Sequence, residues 1–429
     1  MYNPFNKPIS ELEAGDLNKL IENNISEGWF IEYKGSFPKN KQIAKSIASF
    51  ANSEGGWYII GIEEDEKESK PSEIIGFDLE TYKKPSDKIT NVVKDNIDPI
   101  PYFETKIIKI AEDKSVLVVQ VFEGHDVPYI SNGSIYIRVG ETSKPIPIDD
   151  RYQFERLLDK KKTFEKRVNL FMDNTFFFDD HYTQPFLELY IYINNPKSIL
   201  FEDFYLEEFF DKLKENFNSE IGIMKDIPVT PARFFDNIYS SIDSYILRHV
   251  YDNPPLQTGV TLELFKEGHL KLILPFNIYN THSLNEEYES LIYYDSLINE
   301  GLENLRIIDL AEAIFSFQII LEQYKRLLVE YNCEYELNIK FKFKNFNAIT
   351  PFMDSQEYMD FIYENGMPIN LKTSIDIPNK GYLVYSFKDF DVFSLAINII
   401  SATGFSRHLI DVITRGFANY LKIKFKIKS

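Results

Sequence analysis

Acidic residues gather in two short stretches of this sequence. Glu27, Glu32 and Lys34 fall within Glu27-Gly-Trp-Phe-Ile-Glu-Tyr-Lys34, and a further acidic pair, Glu63-Glu64, follows the apolar run Trp57 to Ile62. Carboxylates brought to close range repel one another, and their pKa values rise unless a cation neutralises them. A held Mg²⁺ or Mn²⁺ would do so. It would also neutralise a phosphate and activate a nucleophile, the two needs of phosphodiester cleavage. Lys34, two residues after Glu32 on the same strand face, would lie near enough to stabilise developing negative charge. The same residues also suit a plainer arrangement, with Glu-x-Lys on a solvated face and Glu63 to Glu68 in an acidic turn.

The elements that must position these side chains read as an α+β unit. Ser10 to Asn24 carries Leu12, Leu17, Leu20 and Ile21 at helical spacing, with Ser10 and Glu13 as a capping box. Trp29 to Phe37 alternates as a strand with Glu32 and Lys34 on one face. Asn40 to Ala51 places Ile43, Ile47 and Phe50 on one helical face beside Ala44, Ala48 and Ala51, small enough for close approach to a sheet. Gly55-Gly56 ends that helix, Trp57 to Ile62 is a short buried strand, and Glu63 to Gly76 reads as a turn-rich segment. A helix at Ser86 to Asn96 follows. Strands at Phe103 to Ile110, Ser115 to Phe122 and Ser134 to Val139 then precede a closing helix at Arg151 to Asp159.

We read three segments: residues 1–159, a charged crossing at 160–167, and an α+β domain of unknown type at 168–429. In the last, Phe186 to Ile193 reads as a strand, Glu202 to Phe217 as a helix, and Thr261 to Leu274 as a hairpin. Leu305 to Tyr331 gives a long helix, Asn338 to Lys344 a strand, and Leu395 to Asn419 further helix.

Composition narrows the function classes. Lys plus Arg number 47 and Asp plus Glu 66, a net charge of −19, so a basic DNA-wrapping protein is excluded and any nucleic-acid site must be a local patch. Through Glu165 the charge is 22 − 29 = −7, and beyond it 25 − 37 = −12. The single Cys333 forms no internal disulfide and the first residues lack a secretion signal, so a cytoplasmic location is expected. No apolar run is long enough to span a bilayer. Six histidines without an i,i+4 pair or a cysteine partner argue against zinc, and no nucleotide-binding glycine motif occurs.

The segment Glu27 to Lys34, joined by a helix to Ser49-Phe-Ala-Asn-Ser-Glu-Gly-Gly-Trp-Tyr-Ile-Ile-Gly-Ile-Glu63-Glu64, resembles the Schlafen-type AlbA_2 domain. The resemblance continues through Ile97-Asp-Pro99-Ile-Pro101, Val127-Pro128-Tyr129 and Gly133-Ser-Ile-Tyr-Ile-Arg138-Val-Gly140-Glu-Thr142, covering roughly residues 10 to 158. Ser49 stands where the family usually has Ala, and the acidic pair ends in Glu rather than Asp. The resemblance implies a trio of catalytic, metal-holding carboxylates at Glu27, Glu32 and Glu64, with Lys34 beside them. It also implies a Mg²⁺- or Mn²⁺-dependent endoribonuclease acting on structured, tRNA-like RNA in prokaryotic defence or stress. The rival readings are a non-catalytic DNA- or RNA-binding transcriptional regulator, and a partner-binding sensor on an inert fold of this type.

Candidate phosphate contacts are Lys39, Lys41, Lys45, Arg138 and the Lys160 to Arg167 crossing. Two lysine-faced strands add to them: Lys340, Lys342 and Lys344, and Lys422, Lys424, Lys426 and Lys428. Such faces serve equally as protected strand edges. With only one lobe of this type visible, a homodimer is expected to supply the second wall of an RNA groove.

Overall fold

The computed structural model describes the chain apart from residues 1, 66–68, 140–143, 175–183, 195–198, 220, 224–226, 230–234, 236, 250–258, 277, 280–305, 332, 334, 383–390, 405–409 and 425–429. Lys426, Lys428, the triplet Gly140-Glu141-Thr142 and the histidines at 181, 282 and 408 therefore lie outside the described residues. Chain contacts divide it into two compact α+β units, Met1–Arg167 and Val168–Ser429.

The first unit contains α1 (Ala14–Glu22), β1 (Ile31–Lys34), α2 (Asn40–Asn52), β2 (Gly56–Ile60), β3 (Ile62–Asp65), β4 (Lys70–Ile74) and β5 (Phe77–Asp78). It continues with α3 (Pro85–Asn96), β6 (Ile97–Asp98), β7 (Phe103–Lys109), β8 (Lys114–Val121), β9 (Ile130–Ser131), β10 (Ser134–Ile137) and β11 (Ile146–Pro147). Its main sheet runs β1-β2-β8-β5, with β7 also on β8. One face packs Tyr58, Ile60, Leu117 and Val119 against Ile43, Ile47 and Phe50 of α2 and Ile89 and Val93 of α3. The other packs Tyr33, Trp57, Ile59 and Val118 against Leu17 and Leu20 of α1. Being covered on both faces, β2 is a continuous apolar run rather than an alternating one.

Three expectations change here. Helix α1 starts at Ala14, not Ser10: residues Ile9–Glu11 form a 3-10 turn, and the cap closes when the Glu13 N–H donates to Asp16 Oδ2 at 3.0 Å. The segment after Ile62 is a hairpin of β3 and β4 rather than loose turns. The charged stretch 160–167 is no linker, because α4 (Arg151–Asp173) runs through it as one helix.

The second unit opens with β12 (Phe186–Ile193) and α5 (Glu207–Asn218). Strands β13 (Ile221–Ile223), β14 (Ile227–Val229), β15 (Asn237–Ser240), β16 (Ser244–His249), β17 (Val260–Phe265), β18 (Leu270–Pro275), β19 (Ile278–Tyr279) and β20 (Arg306–Asp309) follow. Then come α6 (Leu310–Glu330), β21 (Leu337–Lys344), β22 (Ile349–Phe352), α7 (Gln356–Asn365), β23 (Ser374–Tyr382), α8 (Val392–Ala402) and α9 (Ile410–Lys424). A seven-stranded sheet of order β15-β16-β17-β18-β12-β21-β23 is antiparallel throughout.

The lysine-faced strand expected at the C-terminus is not a strand up to Lys424. Ile413 and Phe417 are buried at i,i+4 spacing, and the helix they anchor carries on through Lys422 to Lys424.

Candidate functional site

Glu32 belongs to β1, whose parallel register sets Glu32 opposite Tyr58 and Lys34 opposite Ile60. Tyr58 and Ile60 face α2, so Glu32 is buried beneath that helix instead of standing in solvent. Burying a carboxylate is costly unless it is paired and hydrogen-bonded, and Glu32 is both. Its Oε1 accepts from Ser46 Oγ at 3.0 Å and lies 3.1 Å from Lys34 Nζ; its Oε2 accepts from Arg138 Nη1 at 3.0 Å.

Arg138 is accordingly not a surface phosphate contact. Its side chain is fully enclosed. Nε and Nη2 donate to the Gly28 carbonyl at 3.2 and 2.8 Å, and the guanidinium lies 4.0 Å over the Phe50 ring. The Arg138 N–H donates to Ser53 Oγ, which fixes the end of β10 against the end of α2. Asn52 completes that junction. Its Nδ2 donates to the carbonyls of Tyr129 and Tyr136, and its Oδ1 accepts from the Tyr129 N–H. Gly56 is sterically required: a Cβ there would stand 2.2 Å from the Phe50 ring and 2.7 Å from the Phe30 carbonyl oxygen.

Glu27 is buried just before β1. Its N–H donates to the Ser69 carbonyl at 2.7 Å, tying it to the β3–β4 hairpin, and its Oε1 accepts from the Tyr33 N–H. The hairpin delivers Glu64. Of the acids considered after Ile62, Glu64 is the half-buried one, Glu63 and Asp65 being exposed, and Glu64 hydrogen-bonds to Glu27. Burial and then that hydrogen bond push the Glu27 carboxyl up to about 8, against the opposing pull of Lys34. Glu27 thus keeps its proton near neutral pH, held toward Glu64. Lys34 Nζ sits 3.7 Å from Glu27 Oε1. Burial works against the Lys34 charge, but Glu32 and Glu27 outweigh it and raise the ammonium above its ordinary value.

The structure therefore brings Glu27, Glu32, Glu64 and Lys34 together. Among the described residues no three His, Cys, Asp or Glu side chains stand as a ready-made metal centre. The donor set nonetheless suits a hard divalent cation at the Glu27–Glu64 pair, where such an ion would displace the proton held on Glu27. Glu32 adds Oε1 at the edge of this pair, through Lys34, while Arg138 retains Oε2.

Lys39 and Lys41 are exposed at the start of α2, as a phosphate contact requires. Lys45 is half-buried, its Nζ 4.8 Å over the Tyr136 ring. Ser46 and Tyr58 went unnoticed in the sequence. Tyr58 is fully buried, its hydroxyl without a hydrogen-bond partner among the described residues, on the sheet face that carries Glu32. The α2 pattern held a signal for Ser46, a polar residue on a helix face otherwise lined by Ile43, Ile47 and Phe50.

Residues 27–147 match the family model Schlafen, AlbA_2, so the N-terminal third of the chain carries a domain of that family. No curated protein matches the chain.

Proposed function

We propose that the first unit is a divalent-metal-dependent endoribonuclease acting on structured, tRNA-like RNA, with a role in prokaryotic defence or stress. One observation carries this reading: the buried Glu27 carboxyl and the half-buried Glu64 are drawn together beside Lys34 and Glu32, at the cost of holding the Glu27 carboxyl up to about 8. Such convergence is a poor way to stabilise a fold and a good way to prepare a cation site. The Schlafen AlbA_2 match supports a nucleic-acid-related role.

In this reading Glu27 and Glu64, with Glu32 at their edge, would hold Mg²⁺ or Mn²⁺, which would neutralise the scissile phosphate and lower the pKa of the attacking water or hydroxyl. The chain's own residues do the rest. Arg138 and Ser46 hold the Glu32 carboxylate in one orientation. Lys34 supplies a fixed positive charge next to the reacting phosphate, where it is worth more than in water because the site is largely enclosed. Lys39 and Lys41 take flanking phosphates, and a two-fold dimer would offer the RNA a second wall.

A second reading, a non-catalytic DNA- or RNA-binding regulator, draws on the Glu32–Arg138 ion pair, which already satisfies one of the three carboxylates within the fold. Incubation with total tRNA and with duplex DNA, in Mn²⁺ or in EDTA, separates the two. Discrete RNA fragments formed in Mn²⁺ alone support cleavage. Salt-sensitive binding without fragments supports the regulator. Light scattering of the same sample tests the dimer against the 50.3 kDa of one chain.

A further inference from the structure

Beside the carboxyl cluster the first unit contains a cavity of about 380 Å³, within the roughly 300–1,000 Å³ range of small-ligand sites. Its wall includes Trp29 from the loop before β1, Ser53 from the end of α2, Arg138 from the end of β10, and Tyr152, Gln153 and Arg156 from α4. Two features connect it to the proposed catalytic centre. Trp29 follows Glu27 by two residues, and Arg138 touches both the cavity and the Glu32 carboxylate.

The cavity has the chemistry of a flat, hydrogen-bonding ring. Tyr152 is 69% exposed at its edge, an unusual position for a large aromatic side chain, and Arg156 lies on the same face of α4 one turn later, also exposed. The Trp29 indole forms another apolar wall. Two polar atoms here have no hydrogen-bond partner among the described residues: Trp29 Nε1, a donor, and Gln153 Oε1, an acceptor. Both atoms are enclosed beside the cavity, and a ligand that turned either side chain toward it would satisfy a polar atom the fold leaves unpaired. Two acids, Glu54 and Glu123, also line the wall, and Lys160 offsets them, its Nζ 3.0 Å from Glu123 Oε1. Aromatic faces with an adjacent free guanidinium are how proteins take unpaired bases and the phosphates attached to them.

We propose that this cavity receives one unpaired nucleobase of the RNA, stacked on Tyr152 and Trp29, with Arg156 on its phosphate. The proposal rests on the nuclease reading only for the source of the base. It makes an unpaired nucleotide beside the scissile bond a determinant of substrate choice: a continuous duplex cannot fill the cavity, whereas a loop or an unpaired end can.

Intrinsic fluorescence gives a direct test, because the chain has two tryptophans and Trp57 is fully buried with its Nε1 bonded to the Tyr2 carbonyl. The full chain, in EDTA, is titrated with hexaadenylate, with an abasic hexamer of the same charge, and with adenosine monophosphate. Hexaadenylate should quench the emission strongly, the monophosphate weakly and the abasic hexamer not at all. The quench should vanish in Trp29→Phe, and Tyr152→Ala should weaken hexaadenylate binding about tenfold or more. Because Tyr152 is exposed, that variant keeps its fold. Equal quenching by the abasic hexamer, or unchanged affinity in Tyr152→Ala, would overturn the proposal. Quenching without RNA cleavage in Mn²⁺ would leave the base pocket standing and sink the nuclease; cleavage without quenching would do the reverse.

Discussion

Strand β1 in the first unit and strand β21 in the second both carry charged residues at alternate positions, and the two units settle those charges differently. In β21, Lys340 pairs with Asp173 at 2.7 Å, and Lys342 is buried between Glu188 of β12 and Asp376 of β23, its Nζ 4.7 Å over the Tyr190 ring. The strand lies in the interior of its sheet, so its lysines neither guard an edge nor line an open groove. Lys340 and Lys342 are matched by acids from α4 and from the neighbouring strands, while Lys344 stands opposite Phe186 and Ser374. Around β1 the balance is reversed. Among the described residues Glu27, Glu32 and Glu64 are matched by Lys34 and Arg138, and the excess acid is relieved by the proton that burial and the Glu64 hydrogen bond keep on Glu27. A charged strand pattern therefore says little about function until its counter-charges are counted. One cluster is electrically complete, whereas the other has room for a cation.

Breaking each cluster at one residue should give unequal effects. The largest concerns Glu32→Ala, which strands the buried Arg138 guanidinium and should destabilise the first unit by about 3–5 kcal/mol, read as a lower denaturant midpoint. Glu32→Gln, which keeps two oxygen- and nitrogen-centred contacts, should cost distinctly less. Equal midpoints for Glu32→Ala and the wild type would show that the pair is not holding the sheet to α2.

The pH dependence should differ as well. The Glu27 carboxyl, held up to about 8 in the fold against about 4.5 in the unfolded chain, contributes stability that is full below pH 4.5 and is lost as pH rises towards 8. Melting of the wild type should thus fall between pH 5 and 8, while Glu27→Gln gives a flatter profile. Parallel profiles would mean that Glu27 titrates normally. A smaller effect belongs to the surface lysines of α2. Gln at both Lys39 and Lys41 should lower the slope of log RNA affinity against log salt by up to about two, and an unchanged slope would remove them from the interface. The smallest is Lys340→Gln, a half-exposed pair worth about 0–1 kcal/mol, with no change in that slope.

Much of the first unit was legible because its signals are local. The apolar spacing of α2 and the Gly55-Gly56 stop fix that helix to within a residue, and β12 was readable at its full length from Phe186 to Ile193. The acids of the site were legible through their motif positions. The burial of Arg138 was not, since its partner Glu32 lies 106 residues away and strand alternation alone cannot say which face is covered. The C-terminal alternation misled for a related reason: Leu421-Lys422-Ile423-Lys424 has the period of a strand, yet it continues a helix whose buried anchors, Ile413 and Phe417, precede it. The cavity at Trp29 and Tyr152 left no sequence signal, because it exists only where the loop before β1, the end of α2 and α4 come together.

The central question is whether the Glu27–Glu64 pair is a cation site that cuts RNA. Single-turnover cleavage of end-labelled tRNA in Mn²⁺, compared for the wild type, Glu64→Gln and Lys340→Gln, measures this most directly. Glu64 is half-buried on a hairpin, so its replacement leaves the core intact. The expected result is wild-type cleavage by Lys340→Gln, a loss in Glu64→Gln beyond the roughly 100-fold typical of residues that only orient metal ligands, and no cleavage by any of the three in EDTA. Cleavage by Glu64→Gln at the wild-type rate, or cleavage that persists in EDTA, would contradict it.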